Sequence, residues 1–334
     1  EFAGEPGIVN SLQSLPGIKT QHDGSAYFFA RGGERDQNII FIDDAPIYNP
    51  SHLFGFYSIF IPDFAKSISV YKSDMPATMG DRLSSIVSIR TKDGNHHRFG
   101  LNGAINPFVN RISFETPLIK KKSAIFLTYR RSNFEWLYRW ANPELELNFS
   151  DLQLKWNLKI NDKNRLFFTG IFAQDLLATA YIDSLNSTGI TWANTATTFR
   201  WNHLFGPRLF SNTTFYTGTF ANRLFLNPSY WKSELGMLSM KTDFTHYINP
   251  EITSKFGGEI QWYFTNPGSV SLDSSIAILP NVQSNFSRKS ILYYQTEWDI
   301  SKKLKLNAGL RLINWANLGP TTYYNFDENY QIQD

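Results

Sequence analysis

Cysteine is absent from all 334 residues, which excludes a disulfide framework and any thiolate-held metal. Long apolar runs are absent too: none approaches the ~18 residues that a membrane-spanning helix needs. The first residues, Glu1-Phe2-Ala3-Gly4-Glu5-Pro6, have neither the basic start nor the apolar stretch of a secretory leader. The sequence is therefore expected to begin after its targeting segment. Charge of one sign is scarce: the formal net charge is +3 and the basic residues are scattered, which leaves no footprint for nucleic acid. Catalytic signatures are missing as well. No G-x-S-x-G, H-E-x-x-H or G-x-x-x-x-G-K-[ST] occurs, and the chain is expected to be no enzyme and to need no cofactor.

Aromatic residues are abundant, 16% of the chain, against a slightly negative mean hydropathy. A soluble α/β enzyme has that composition, and so does a β-barrel with an apolar lipid face and a polar lumen face. From Phe99 onward the chain alternates. Leu152, Leu154, Trp156, Leu158 and Ile160 share one face, opposite Gln153, Lys155, Asn157 and Lys159. Phe256, Gly258, Ile260, Trp262 and Phe264 oppose Lys255, Glu259 and Gln261, and the runs 292–300 and 304–312 repeat the pattern. Period two sustained over about nine or ten residues predicts membrane-crossing strands. The connections alternate as well: tight at 119–122, 161–164, 206–207, 249–250 and 301–303, long at 132–148, 176–189, 223–231 and 266–285. Tight turns at one end and long loops at the other put the turns in the periplasm and the loops outside the cell. About eleven strands follow residue 98. An open sheet in lipid leaves unpaired edges that cost several kcal/mol per unsatisfied group, so further strands are expected on a segment outside this sequence.

The stretch from Arg31 to Gly94 has a different grain. Four short apolar runs, 27–29, 39–42, 68–71 and 86–89, are separated by turn chemistry at Gly32-Gly33, Asp43-Asp44, Met75-Pro76 and Gly80-Asp81. Pro62 opens one helical turn, and Gly7 to Gln21 reads as a short helix followed by a Pro16-Gly17 turn. The order of Arg31-Gly32-Gly33, the strand into Ile42-Asp43-Asp44-Ala45-Pro46-Ile47, the strand Ser69-Val70-Tyr71-Lys72, and Gly80 with Arg82 before Ile86–Thr91 resembles the plug domain of TonB-dependent outer-membrane receptors. The likeness covers about the first hundred residues by motif and the rest by pattern. It departs from the family at Met79-Gly80-Asp81-Arg82, where an Arg-Tyr-Gly arrangement is frequent.

The resemblance implies a mostly β fold: a transmembrane antiparallel β-barrel of about twenty-two strands, here in part, with a small α+β plug inside it. The expected division is a plug over 1–97 and the N-terminal half of the barrel over 98–334. It also implies TonB-dependent active import of a substrate across the outer membrane of a Gram-negative bacterium. The partners would be outer-membrane lipids and a TonB-type energy-coupling protein acting on a segment upstream of Glu1. Two rival readings remain open. One is a docking subunit that holds a surface-exposed lipoprotein; the other is a soluble β-rich carbohydrate-binding protein.

Candidate residues follow from both lines. The resemblance suggests that plug arginines Arg31 and Arg82 lock onto wall carboxylates, with Glu259, Glu297 and Asp299 as inward-facing candidates, because a guanidinium in a partly dried seam needs a planar counter-charge. Asn49, His52 and Tyr57 are candidates for a substrate-facing plug apex, against the alternative of plain plug core. Asp43-Asp44 reads as a turn rather than a metal pair. His96-His97 reads as solvated, since two adjacent histidines lack further ligands. Trp262 and Trp298 read as an interfacial girdle. A lipid-facing barrel should migrate differently before and after boiling on a denaturing gel; extraction of the complete chain as a folded monomer without detergent would contradict this.

Overall fold

The computed structural model describes residues 11–20, 27–73, 75–80, 82–140, 142–179, 188–226, 229–271, 283–319, 325–327 and 331–333. Its first part is built from eight short strands: β1 (Ile18–Thr20), β2 (Phe28–Ala30), β3 (Asn38–Ile42), β4 (Ala45–Ile47), β5 (Ser51–His52), β6 (Tyr57–Ser58), β7 (Ala65–Tyr71) and β8 (Ser85–Thr91). A four-stranded sheet in the order β4-β3-β8-β7 forms its centre, with β3 and β8 parallel. Asp43 and Asp44, both at positive φ, make the tight turn from β3 to β4. Among the described residues the expected helix closes with a 3-10 turn at Leu12–Ser14, capped at Leu15; Gly17, at φ +79, lies in the turn that leads into β1. Ile8 of the expected helix lies outside the described residues. Pro62 does open a helical turn, Pro62–Phe64.

Eleven consecutive strands then form one antiparallel sheet in chain order. They are β9 (Gly100–Ile105), β10 (Val109–Ile119), β11 (Ser123–Ser132), β12 (Leu145–Lys159), β13 (Asn164–Thr179), β14 (Thr188–Leu204), β15 (Leu209–Leu226), β16 (Ser229–Tyr247), β17 (Ile252–Ser271), β18 (Asn285–Ser301) and β19 (Leu304–Leu318). A small hairpin of β20 (Asn325–Phe326) and β21 (Ile332–Gln333) follows. All five tight turns lie where the alternation puts them. The long connection expected at 223–231 does not: β15 runs on to Leu226, which pairs with Ser229 at the start of β16. Strands here exceed the length that crossing the membrane needs, because the ladder continues past the bilayer as a hairpin in water. For the same reason β17 reaches Ser271, and the rest of the expected 266–285 loop lies mostly outside the described residues.

The wall is inside-out relative to a soluble sheet. On β18 the inward Ile291, Tyr293 and Gln295 are buried, while Leu292, Tyr294 and Trp298 stand outward at 63%, 50% and 42% exposure. On β12 the buried row is polar: Asp151, Gln153, Lys155 and Asn157. Prolines fall where a ladder tolerates a missing donor: Pro117 lies at the register shift of β10, and Pro267 lies opposite the shift in β16.

The apolar core of the plug is continuous with the wall. Ile40, Ile42, Ile59, Ile61, Phe64, Val87 and Ile89 pack in one cluster with Phe126, Ile171, Ala196, Tyr216 and Met237 of the sheet. Contact is close at Gly218, where a Cβ would lie 2.5 Å from the carbonyl oxygen and 2.8 Å from Cγ of Pro46. Gly218→Val should therefore push β4 off the wall at a cost of about 1–3 kcal/mol. Plug release should begin at lower urea than in the wild type, with the heat-shifted gel band of the wall unchanged. An unaltered release midpoint would mean that this contact does not hold the plug.

Candidate functional site

The plug meets the wall through charge as well as through apolar contact: Asp63 pairs with Arg111 of β10 at 3.3 Å, and three larger clusters lie elsewhere along the seam. The first surrounds His52, at the end of β5. Its Nε2–H donates to Asp151 Oδ1 and its Nδ1–H to Asp175 Oδ2, each at 2.7 Å, with both carboxylates on the inward face of β12 and β13. A ring bonded to carboxylates through both nitrogens carries both protons. Arg130 of β11 completes the set, reaching Asp151 Oδ2 at 2.6 Å and the Ser58 carbonyl at 2.6 Å. Two cations therefore face two anions, with all four side chains buried. The Leu53 N–H donates to Asp175 Oδ1 at 2.9 Å, and Gln153 Nε2 donates to the Ile59 carbonyl at 2.7 Å. Phe149 stacks on the His52 ring at 4.3 Å.

The second cluster is the Asp43-Asp44 turn. Lys155 Nζ lies 2.5 Å and Thr169 Oγ1 2.7 Å from Asp43 Oδ2. Asp44 takes Arg90 of its own sheet at 3.0 Å and Arg200 of β14. The third fastens the plug segment 77–78 to later strands. Arg311 donates to the Ala77 carbonyl at 3.0 Å, Lys241 to the Thr78 carbonyl at 3.1 Å, and Gln295 Oε1 accepts the Ala77 N–H at 2.8 Å.

These environments set the charge of the plug groups. Burial alone would depress the His52 pKa, but the charges of Asp151 and Asp175 and the bonds to them outweigh it and lift the pKa from 6.5 to about 9. Burial would raise Asp43, yet Lys155 and Arg200 hold it at about 2. Asp44, half-buried, is held well below the ordinary carboxylate range by Arg90 and Arg200.

The plug–wall ion pairs thus take both signs: His52 puts a plug cation on wall carboxylates, as expected of Arg31 and Arg82, and Asp43 and Asp44 put plug anions on wall cations. Arg31 lies at φ +50 on the turn after β2, exposed, with its stem over Gly17 and its amide bonded to the Gly17 carbonyl at 2.8 Å. It forms no ion pair with the wall among the described residues. Arg82 is half-buried just before β8. Glu259 is buried in the wall, accepting from Ser239 at 3.0 Å and Gln261 at 2.8 Å, with the wall's own Arg311 at 4.0 Å. Glu297 pairs with Lys255 at 2.6 Å and Asp299 with Lys305 at 3.0 Å, both within the wall. The locking anions Asp43 and Asp44 belong to the plug, and their cations Lys155 and Arg200 to the wall. The physical reason is position: the tight turn carries Asp43 and Asp44 to the wall, whereas Arg31 sits on the exposed turn that leaves β2.

Asn49, His52 and Tyr57 are likewise at the seam and not on a substrate-facing surface. The Asn49 backbone N–H donates to Asn194 Oδ1 at 3.2 Å and its carbonyl accepts from Asn194 Nδ2 at 2.9 Å. Tyr57 is buried among Phe134, Phe149 and Val109. Between them the loop tip rises differently. Leu53, Phe54 and Gly55 are successive positive-φ residues, and Phe54 and Phe56 are 56% and 49% exposed. Phe54 lies 4.8 Å from Trp192 of β14. Consecutive non-glycine residues in the left-handed region are strained and persist where surrounding contacts dictate them; here the bonds of His52 and Leu53 supply those contacts. Arg130, Lys155, Arg200 and Arg311 were not identified from sequence as partners. The usable signal was charge on inward positions of alternating strands, which in a closed seam must be paired.

A sheet with an apolar outer face, a polar inner face and a small α+β unit fastened inside it defines a plugged β-barrel of the outer-membrane receptor kind. Its fold is that of the TonB-dependent receptors, plug plus part of the barrel: residues 4–85 match the TonB-dependent Receptor Plug Domain. Solved structures agree over most of the chain. The FrpB iron transporter from Neisseria meningitidis is similar at 11% identity and TM-score 0.69, over 93% of this chain and 56% of that one. The siderophore receptor PirA from Acinetobacter baumannii gives 12% and 0.67, over 93% and 55%. FpvA from P. aeruginosa, solved bound to heterologous pyoverdines, gives 12% and 0.68, over 96% and 51%. The chain thus spans about half the length of the solved proteins it matches. No curated protein matches it by sequence.

The His52 cluster makes plug retention pH-dependent. A raised folded-state pKa contributes stability that is fully present below 6.5 and lost as pH rises through about 9. That difference corresponds to ~3 kcal/mol. The Asp43 contribution runs the other way, present above 3.8 and lost as pH falls through about 2. The urea midpoint of plug release should therefore fall between about pH 6 and about pH 10. His52→Ala should lower the free energy of plug release at the acidic end by roughly 3–5 kcal/mol, and the midpoint with it, because two buried carboxylates lose their partner. A midpoint flat across that range in the wild type would rule out a charged His52.

Proposed function

We propose that the protein imports a ferric siderophore across the outer membrane of a Gram-negative bacterium, by TonB-dependent active transport. In this reading residues 1–97 are the plug and 98–334 the N-terminal half of the barrel. The observation that carries it is the loop tip at 53–56: two exposed phenylalanines, Phe54 and Phe56, beside Trp192, on strained backbone directly attached to the His52 latch. Flat aromatic faces suit the rings and apolar framework of a metal chelate. The iron and siderophore titles of the similar solved proteins support the same class of cargo.

Substrate contact and plug retention share a backbone here. Contact with Phe54 bears on Leu53, whose N–H holds Asp175, the same carboxylate that holds His52. A cargo that shifts the tip loosens one of the two carboxylates on the imidazolium. Force applied by a TonB-type protein to a segment upstream of Glu1 then acts on a weakened seam. Without it, opening the seam strands buried charges at roughly 3–5 kcal/mol each, so an empty barrel stays shut. The work comes from the inner-membrane gradient, and the chain performs no bond chemistry.

Cells bearing the full-length protein as their only such receptor should accumulate radiolabelled iron from at least one ferric siderophore of a chemically varied panel. Accumulation should stop when the energy-coupling protein is removed. Phe54→Ser with Phe56→Ser should raise the half-saturating concentration at least about ten-fold, since two stacked rings contribute roughly 1.5 kcal/mol or more. Accumulation indifferent to the coupling protein would favour instead the docking of a surface lipoprotein.

A further inference from the structure

A cavity of about 410 Å³ opens at the short-turn end, between the segment leaving the plug and the inward face of β12 and β13. Asn157, Lys159, Arg165, Lys121 and His96 contribute to its lining. Lys159 and Arg165 are direct cross-strand partners. Like charges directly opposite each other destabilise a ladder unless a counter-charge sits with them. Asp162, in the turn, accepts from Lys159 Nζ at 2.5 Å but is itself 93% exposed, so water screens it. Asp93 is the carboxylate in the lining.

Further in, Asn157 is 4% exposed and its side-chain Nδ2 meets no acceptor among the described residues. Such a donor costs about 1–3 kcal/mol when left unbonded. The Nδ1 atom of His96 is buried and unbonded as well. One unsatisfied amide donor, one ring nitrogen and three cationic side chains therefore converge on one space. They match a compact acceptor with negative charge and several oxygens.

We infer that this cavity binds a phosphate group, as the free ion or at the end of a small phosphomonoester. The guanidinium fork of Arg165 can take two oxygens side by side, leaving the others for Asn157 and the lysines. A carboxylate has too few oxygens for all of these donors. The volume leaves room for an organic substituent beyond the phosphate. The inward placement of Asn157 makes the aqueous mouth the source, and not the lipid leaflet outside the wall. Lys121 N–H already donates to the His96 carbonyl at 3.0 Å, so a bound phosphate adds a second tie between the plug's exit segment and the wall.

The test uses the full-length protein in detergent micelles, titrated calorimetrically with inorganic phosphate at low chloride, and separately with phosphatidylglycerol nanodiscs. Saturable phosphate binding is expected. Arg165→Gln with Lys159→Gln should weaken it at least about ten-fold. Asn157→Asp, nearly isosteric but anionic, should abolish it, and Lys303→Gln at another turn should leave it unchanged. The heat-shifted gel band verifies that each variant is folded. Absence of saturable phosphate binding in the wild type, or equal affinity in the double variant, would overturn the site. Loss of nanodisc binding in the double variant, with no response to inorganic phosphate, would assign these cations to the membrane leaflet and overturn it equally.

Discussion

A buried imidazolium needs two things at once, removal from water and negative charge on both sides, and His52 has both only while the plug is seated. Asp151 and Asp175 come from two neighbouring wall strands, and neither could be buried opposite the other without a cation between them. The plug supplies that cation. The wall supplies Arg130, which balances the set. Neither part is electrically satisfied alone, so the seated plug is a condition for the burial of the wall's own charges.

The same complementarity extends along the seam with the signs exchanged. At Asp43 and Asp44 the plug is anionic and the wall cationic. Between these charged clusters the apolar cluster of Ile40, Ile42 and Val87 meets Ile171, Ala196 and Met237. Apolar contact gives adhesion without direction. The opposite-signed clusters give the orientation, because a rotated plug would bring Asp43 toward Asp151 and His52 toward Lys155. Repulsion of that kind discriminates against wrong seatings more sharply than attraction selects the right one.

Much of the architecture was legible because period two is a local property. The inward row Gln153, Lys155, Asn157 and the outward row Leu152, Leu154, Trp156 can be sorted without knowing what faces them, and the five tight turns follow from chain punctuation. The turn at Asp43-Asp44 was legible for the same reason. Its electrostatic role was not, since Lys155 and Thr169 lie 112 and 126 residues away. Arg31 misled because an arginine beside two glycines fits a lock in the family pattern, while its own φ places it on the exposed turn after β2. The tip at 53–56 shows the limit most clearly. Three left-handed residues in a row, two of them not glycine, contradict local preference; only the surrounding bonds determine them.

The seam also constrains the order in which the molecule is put together. His52, Asp43 and Asp44 find their partners on β12, β13 and β14, a contiguous block of the wall, whereas Ala77 and Thr78 wait for β16, β18 and β19. Contacts separated by less chain close earlier, because less loop entropy is lost in making them. The plug can thus dock on a half-built cradle, its charges partnered while that surface is still open to water, before later strands wrap past it. A plug arriving after closure would have to thread its charged turns past a wall already closed around the seam. Assembly from the chain's beginning toward its end avoids that barrier, and makes the plug a template on which the wall grows.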